Sequence, residues 1–156
     1  MSQSTPDICD EHPDEVRVLA PVFASFGGRE SFSGPARTVK CFEDNSMVKA
    51  LAASPGGGCV MVVDGGGSLR RALLGDMVAA EAQRNGWAGL VVDGAVRDVE
   101  ALRALGLGIK ALGAVPVKTE KRGIGDVDVP VVVGGVMIRP GDAVHADATG
   151  IVVLPG

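Results

Sequence analysis

The chain reads as an α/β domain with layered sheets, and three features of its 156 residues point there. Strand-like and helix-like segments alternate through the central part, which implies parallel crossovers. The last third instead carries short apolar runs at close spacing, separated by Gly, Pro and Asp turns. Twenty-three glycines fall in GG, GGG and DG clusters between those runs, without collagen-like period, and mark tight turns.

Residues 1–15 are polar, contain Pro6 and Pro13, and predict a loosely held N-terminus followed by a short element through Val22. From Ala36 to Phe42 apolar and polar residues alternate with period two, a strand with one buried face. Glu43-Asp44-Asn45 offers helix-cap chemistry ahead of Met47, Val48, Leu51 and Ala52, a short apolar stripe ended by Ser54-Pro55-Gly56. Cys59 to Val63 is an uninterrupted apolar run closed by Asp64-Gly65-Gly66-Gly67, as expected of a strand covered on both faces. A short strand at Ala72–Leu74 leads to Gly75-Asp76, which opens a helix with Val78, Ala79, Ala80 and Ala82 on its apolar side, stopped at Asn85-Gly86. Leu90–Val92 repeats the buried-strand pattern, and Asp93-Gly94 reads as its closing turn. Arg97-Asp98 begins a third helix with Val99, Leu102 and Leu105 inward and Gly106 past its end. Short strands are then predicted at Ile109–Leu112, Ala114–Lys118, Val129–Val133, Val136–Ile138, Ala143–His145 and Ile151–Leu154, with Lys118 to Asp126 as an exposed loop.

Length and composition predict a single domain over residues 1–156, able to remove roughly two thirds of its unfolded surface from water. The longest uncharged stretch of the second half, Val129 to Ile138, spans ten residues, too few for a bilayer. The first fifteen residues carry five acids and no Lys or Arg, unlike a secretory or transit leader, so no membrane association and a cytoplasmic location are expected. With 3% aromatics and a net charge of −4, the chain lacks both the stacking platforms and the basic face that direct nucleic-acid binding requires. Cys9, Cys41 and Cys59 match no zinc or CxxC spacing and read as small hydrophobes. His12 and His145 stand in unrelated contexts, which excludes a histidine-rich metal site.

Asp64-Gly65-Gly66-Gly67-Ser68 follows a buried strand but lacks the Gly-Lys-Ser/Thr ending of a P-loop, and no GxGxxG is present; a tight turn accounts for it better than nucleotide binding. Asp76 and Arg97-Asp98 occupy two helix starts, each after a strand, where ligands gather in open α/β sheets. Taken singly, Asp98 reads as a helix cap and Arg97 as a surface charge. Taken together, two acids and a guanidinium suit a hard divalent cation, Mg2+ or Mn2+, with Arg97 clamping a carboxylate substrate.

The segments FGGRESFSGPARTVKCFEDN, VVDGGGSLRRAL, GLVVDGAVRD, GIKALG and HADATGIVVLP, together with Gly75-Asp76, twenty intervening residues and Arg97-Asp98, strongly resemble the RraA-like family. That family holds the regulators of ribonuclease activity A and the class II 4-hydroxy-4-methyl-2-oxoglutarate aldolases. The resemblance implies a swivelling β/β/α fold assembled as a ring-shaped homotrimer with active sites between subunits. It likens Asp98 to the metal-anchoring acid, Arg97 to the residue holding the pyruvyl carboxylate and oxygen, and Gly75-Asp76-Met77-Val78 to the substrate-contacting loop. Some members add an acid from the neighbouring subunit.

The chemistry so implied is cleavage of a 4-hydroxy-2-oxo acid to pyruvate, or loss of CO2 from oxaloacetate, through an enolate stabilised by a divalent cation and Arg97, with Asp76 orienting water as base. No Schiff-base lysine is required, and Lys110 and Lys118 read as surface charges. Two function classes follow: a metal-dependent aldolase and oxaloacetate decarboxylase acting on a small 2-oxo acid, or a protein inhibitor of an RNA-degrading endonuclease of the ribonuclease E type.

Overall fold

A computed structural model describes residues 3–156. In chain order the elements are α1 (Thr5–Glu11), β1 (Arg17–Val18), β2 (Ala24–Ser25), β3 (Phe32–Lys40), α2 (Ser46–Ala52), β4 (Val60–Asp64), β5 (Ala72–Leu74), α3 (Asp76–Arg84), β6 (Gly89–Val96), α4 (Val99–Arg103), β7 (Gly108–Ala114), β8 (Asp126–Val127), β9 (Val131–Val133), β10 (Val136–Ile138), β11 (Ala143–Ala146) and β12 (Ile151–Leu154). The fold is mixed α/β with a large mixed sheet and a β-rich C-terminal region. Its strands run β1-β12-β11-β3-β4-β6-β7-β2, with β5 on β6, β8 on β3 and β9–β10 as a separate hairpin.

Strand β3 joins two regimes. Its first half, Phe32–Pro35, pairs antiparallel with β11, and its second half, Ala36–Lys40, pairs parallel with β4. Parallel pairing continues through β4–β6, β6–β7 and β5–β6, as the crossover helices α2, α3 and α4 require. The apolar run of β4 is continuous because both faces are covered: Met61 and Val63 enter the core beneath the helices, while Val60 and Val62 enter a second core formed with β9–β12. Leu90, Val92 and Val91 of β6 divide the same way. A helix layer, a parallel sheet and a second β layer are therefore stacked in that order.

Several expectations are corrected. Residues 1 and 2 of the expected loose N-terminus lie outside the described residues, but the residues from Ser4 onward are tied down: the Ser4 hydroxyl caps α1 by accepting from the Asp7 N–H, with Pro6 in the first turn. The Asp147 carboxylate accepts from the Thr5 N–H and hydroxyl, both at 2.8 Å, and also from the N–H groups of Thr149 and Gly150. Asp93-Gly94 is no turn; β6 runs through it to Val96, Gly94 giving room for the Leu73 side chain. Of the strands predicted at 109–112 and 114–118, the first forms as part of β7, which ends at Ala114; the second does not form, and Lys118 makes only an isolated bridge to Ala72. Strand β3 begins at Phe32, earlier than expected, and Phe42 lies beyond it, exposed. A short strand, β8, closes the loop expected to run to Asp126. Lys110 is no surface charge: it is 4% exposed, its Nζ donates to the Asp147 carbonyl at 2.7 Å, and burial lowers its pKa. Lys118 is exposed. Cys41 is buried, with its thiol pushed up to about 12 chiefly by that burial. Among the described residues no helix is long and apolar enough to cross a membrane.

The Asp147 knot gives a direct stability expectation. Asp147→Ala leaves four donors without their acceptor and should cost about 2–3 kcal/mol, read as a lowered urea midpoint at unchanged slope.

Candidate active site

Strands β5 and β6 lie side by side and parallel, with Leu74 opposite Val96, so their carboxyl ends deliver two helix starts to one place. The Arg97 N–H donates to the Leu74 carbonyl at 2.9 Å and locks the two turns together. Gly75 is the N-cap of α3, where it has no side chain to offer the free N–H groups. Asp98 stands at the N-cap of α4 in a left-handed conformation, φ 56°, with no side-chain hydrogen bond to its own helix. Its Oδ2 accepts instead from the Asp76 N–H at 3.0 Å. The expected helix-capping acid thus caps the neighbouring helix, α3.

This contact requires the glycine. A Cβ on residue 75 would lie 2.7 Å from Asp98 Oδ2 and 3.3 Å from Arg97 Nε, so the Arg97–Asp98 pair fills the space a side chain would take. Arg97 Nε is 3.9 Å from Asp98 Oδ2, and both side chains are 38% exposed. Gly75, Asp76, Met77, Val78, Arg97 and Asp98 all border one cavity of about 150 Å3. Every site residue expected from the sequence is therefore brought together, although the roles assigned to them are matters of chemistry rather than of position.

The facing wall comes from chain segments that sequence reasoning had not placed at the site. Asn45, Lys49, Thr119 and Lys121 border the cavity with Lys118. Asn45 caps α2 by position but not by side chain; its Oδ1 accepts from the buried Thr119 hydroxyl at 2.7 Å. The capping expected from Glu43-Asp44-Asn45 is supplied by Asp44, whose Oδ1 accepts from the Ser46 N–H at 2.9 Å and hydroxyl at 2.6 Å. These residues follow β3 and β7, so applying the carboxyl-end rule to every parallel strand would have found them.

The glycine-rich turn after β4 is self-contained. Gly66 and Gly67 take positive φ, 67° and 72°. The N–H groups of Gly65 and Gly67 bond the Asp93 carbonyl, and that of Gly66 bonds Asp64 Oδ1, so this turn does not present the free donors of a phosphate cradle.

The cavity's donor set is hard oxygen. Asp98 keeps one carboxylate oxygen beyond its bond to Asp76, and the Asp76 side chain is exposed. No group of three or more His, Cys, Asp or Glu side chains able to hold a metal occurs among the described residues. Such a pair of carboxylates fits a magnesium-type ion that keeps water and substrate oxygens as its remaining ligands, not a closed protein cage.

A Pseudomonas fluorescens (strain SBW25) protein provisionally named 4-hydroxy-4-methyl-2-oxoglutarate aldolase is 58% identical over 151 residues, covering 97% of this chain and 93% of the relative. The structure of the RNA-processing inhibitor RraA from Thermus thermophilus is similar with a TM-score of 0.95 at 49% identity, covering 99% of this chain and 94% of that one. A Geobacillus kaustophilus structure described as an S-adenosylmethionine:2-dimethylmenaquinone methyltransferase gives 0.94 at 44% identity, covering 98% and 95%. With the RraA-like (Aldolase/RraA) family model matching residues 5–153, the chain belongs to the RraA-like family.

Proposed function

We propose that this chain is a divalent-metal-dependent class II carbon–carbon lyase that cleaves 4-hydroxy-4-methyl-2-oxoglutarate to pyruvate and also decarboxylates oxaloacetate. The observation that carries this reading is the convergence of Arg97, Asp98 and Asp76 on one cavity, with Asp98 turned by its left-handed backbone onto the Asp76 N–H. The names of relatives support the aldolase part.

In this reading Asp98 would hold the Mg2+ or Mn2+ with Asp76 beside it, and when bound the cation would supply electrophilic stabilisation to the 2-oxo oxygen. Arg97 receives the substrate carboxylate and the 2-oxo oxygen with its planar fork, and the second contact strengthens as that oxygen gains charge. The bond between C3 and C4 breaks, its electrons pass into the enolate at C2–C3, and the C4 hydroxyl becomes a carbonyl. The Asp76 carboxylate orients the water that accepts the hydroxyl proton. Reprotonation at C3 releases pyruvate. The Gly75–Val78 segment presents its backbone to the substrate at the start of α3, where the helix dipole favours anions.

The chain is further proposed to act in the cytoplasm as a homotrimer whose neighbouring copies close the sites. Light scattering should give three times the chain mass; a monomer would contradict this. Pyruvate release from 4-hydroxy-4-methyl-2-oxoglutarate tests the activity. Asp98→Asn should abolish it while leaving the thermal midpoint unchanged, and full activity in that variant would remove Asp98 from the site.

A second reading, inhibition of an RNA-degrading endonuclease by protein–protein contact, is favoured by the likeness to the Thermus RNA-processing inhibitor. It requires no cavity chemistry, so endonuclease inhibition should survive Asp98→Asn.

A further inference from the structure

The cavity is bordered by two acids, Asp76 and Asp98, and four bases, Arg97, Lys49, Lys118 and Lys121. The chain as a whole carries a net charge of −4, so this concentration of positive charge is local. Among the described residues Arg97 lies beside Asp98, whereas Lys49, Lys118 and Lys121 make no ion pair. Three unpaired ammonium groups around one cavity repel one another until an anion arrives. The 2-oxo acid end of a substrate is already accommodated by Arg97, so the lysines need a second anionic group.

Two of these lysines sit on a loop whose place is fixed from outside the cavity. Asp44, buried at 4% exposure, accepts through Oδ2 from the N–H groups of Arg122 at 2.8 Å and Ile124 at 3.2 Å. Its Oδ1 holds Ser46, whose hydroxyl in turn accepts from the Gly123 N–H at 3.1 Å. With the Asn45–Thr119 bond, these contacts fasten residues 119–124 onto the chain that follows β3. Burial opposes the Asp44 charge, but the bonds from Ser46, Arg122 and Ile124 outweigh it and bring its carboxyl down to about 2. The clasp is therefore complete above about pH 4 and is lost as pH falls through about 2.

We infer that Asp44 is a positioning residue for the site proposed above: by clasping residues 122–124 it holds Lys118 and Lys121 at the cavity, where their ammonium groups receive the substrate carboxylate remote from the 2-oxo group. The inference rests on the 2-oxo acid reading of the site. It selects 2-oxo dicarboxylates over 2-oxo monocarboxylates and assigns that selection to the loop after β7, not to the helix starts.

Binding separates this from catalysis. Titration calorimetry with Mg2+ present compares pyruvate, which has no second carboxylate, with 2-oxoglutarate, which has one and has no 4-hydroxyl for retro-aldol cleavage. The wild-type chain should bind 2-oxoglutarate about tenfold tighter or better, a preference that shrinks with added salt. Asp44→Asn, which no longer offers carboxylate acceptors to both donor sets, should raise the 2-oxoglutarate Kd about tenfold and leave the pyruvate Kd within about twofold. The double variant Lys118→Gln/Lys121→Gln alters only exposed side chains and should do the same, which keeps the idea testable should Asp44→Asn fail to fold. Equal affinity for the two ligands in the wild type, or an unchanged preference in the lysine variant, overturns the inference while leaving the lyase reading in place. Absence of binding by both ligands overturns the lyase reading and the inference with it.

Discussion

Replacing Arg97 by lysine is expected to lower kcat for pyruvate release about a hundredfold or more, the usual consequence of losing a donor to a developing oxyanion. Lysine keeps the positive charge but not the planar two-pronged fork. The fold has little stake in the side chain: Arg97 is anchored through its backbone N–H to Leu74, a bond that lysine retains. The variant should therefore melt with the wild type. A contact made equally in the ground state would raise KM and leave kcat alone, and a merely superficial arginine would change both by less than about twofold. Steady-state kinetics on folded Arg97→Lys separate these outcomes, and a wild-type kcat/KM would remove Arg97 from the chemistry.

Gly75→Ala should be as damaging through a different route. The φ of Gly75 is −131°, open to any residue, so the glycine is required by space and not by backbone freedom. An added Cβ, 2.7 Å from Asp98 Oδ2 and 3.3 Å from Arg97 Nε, forces the carboxylate off the Asp76 N–H and shifts the guanidinium. A displacement of that order costs about a hundredfold in rate where geometry sets the chemistry, whereas stability should fall by only about 1 kcal/mol, the worth of one hydrogen bond. Gly67→Ala provides the contrast. Gly67 has φ 72° with open space around its Cβ position, so alanine there strains the backbone by about 1 kcal/mol and should leave kcat/KM untouched. Equal kinetic losses in the two variants would mean that Gly75→Ala acts through folding alone.

The legible and illegible parts of this chain divide along physical lines. Cys59–Val63 and Leu90–Val92 announced buried parallel strands because a strand covered on both faces admits no polar alternation. That Asp76, Arg97 and Asp98 border one cavity could be anticipated because each stands at a strand-to-helix turn, a local feature with a local signature. Asp93-Gly94 misled because Asp-Gly is a strong turn signal, whereas here β5 packs alongside β6 and Leu73 fills the space above Gly94. Lys110 misled because its burial depends on a carbonyl 37 residues away, which no local pattern records. Asn45 and Thr119 escaped for the same reason: their hydrogen bond joins positions separated by 74 residues, and only the order of strands β3, β4, β6 and β7 brings them to one cavity.

The central claim, a metal-dependent route to a pyruvate enolate in the cavity bordered by Asp76, Arg97 and Asp98, is tested most directly by pyruvate release from oxaloacetate measured in excess Mg2+, in EDTA, and in EDTA with Mg2+ or Mn2+ restored. Release catalysed by the wild-type chain should disappear with the chelator, return with either cation, and fail to return in Asp98→Asn. Equal catalysed release in EDTA and in Mg2+ would contradict the account.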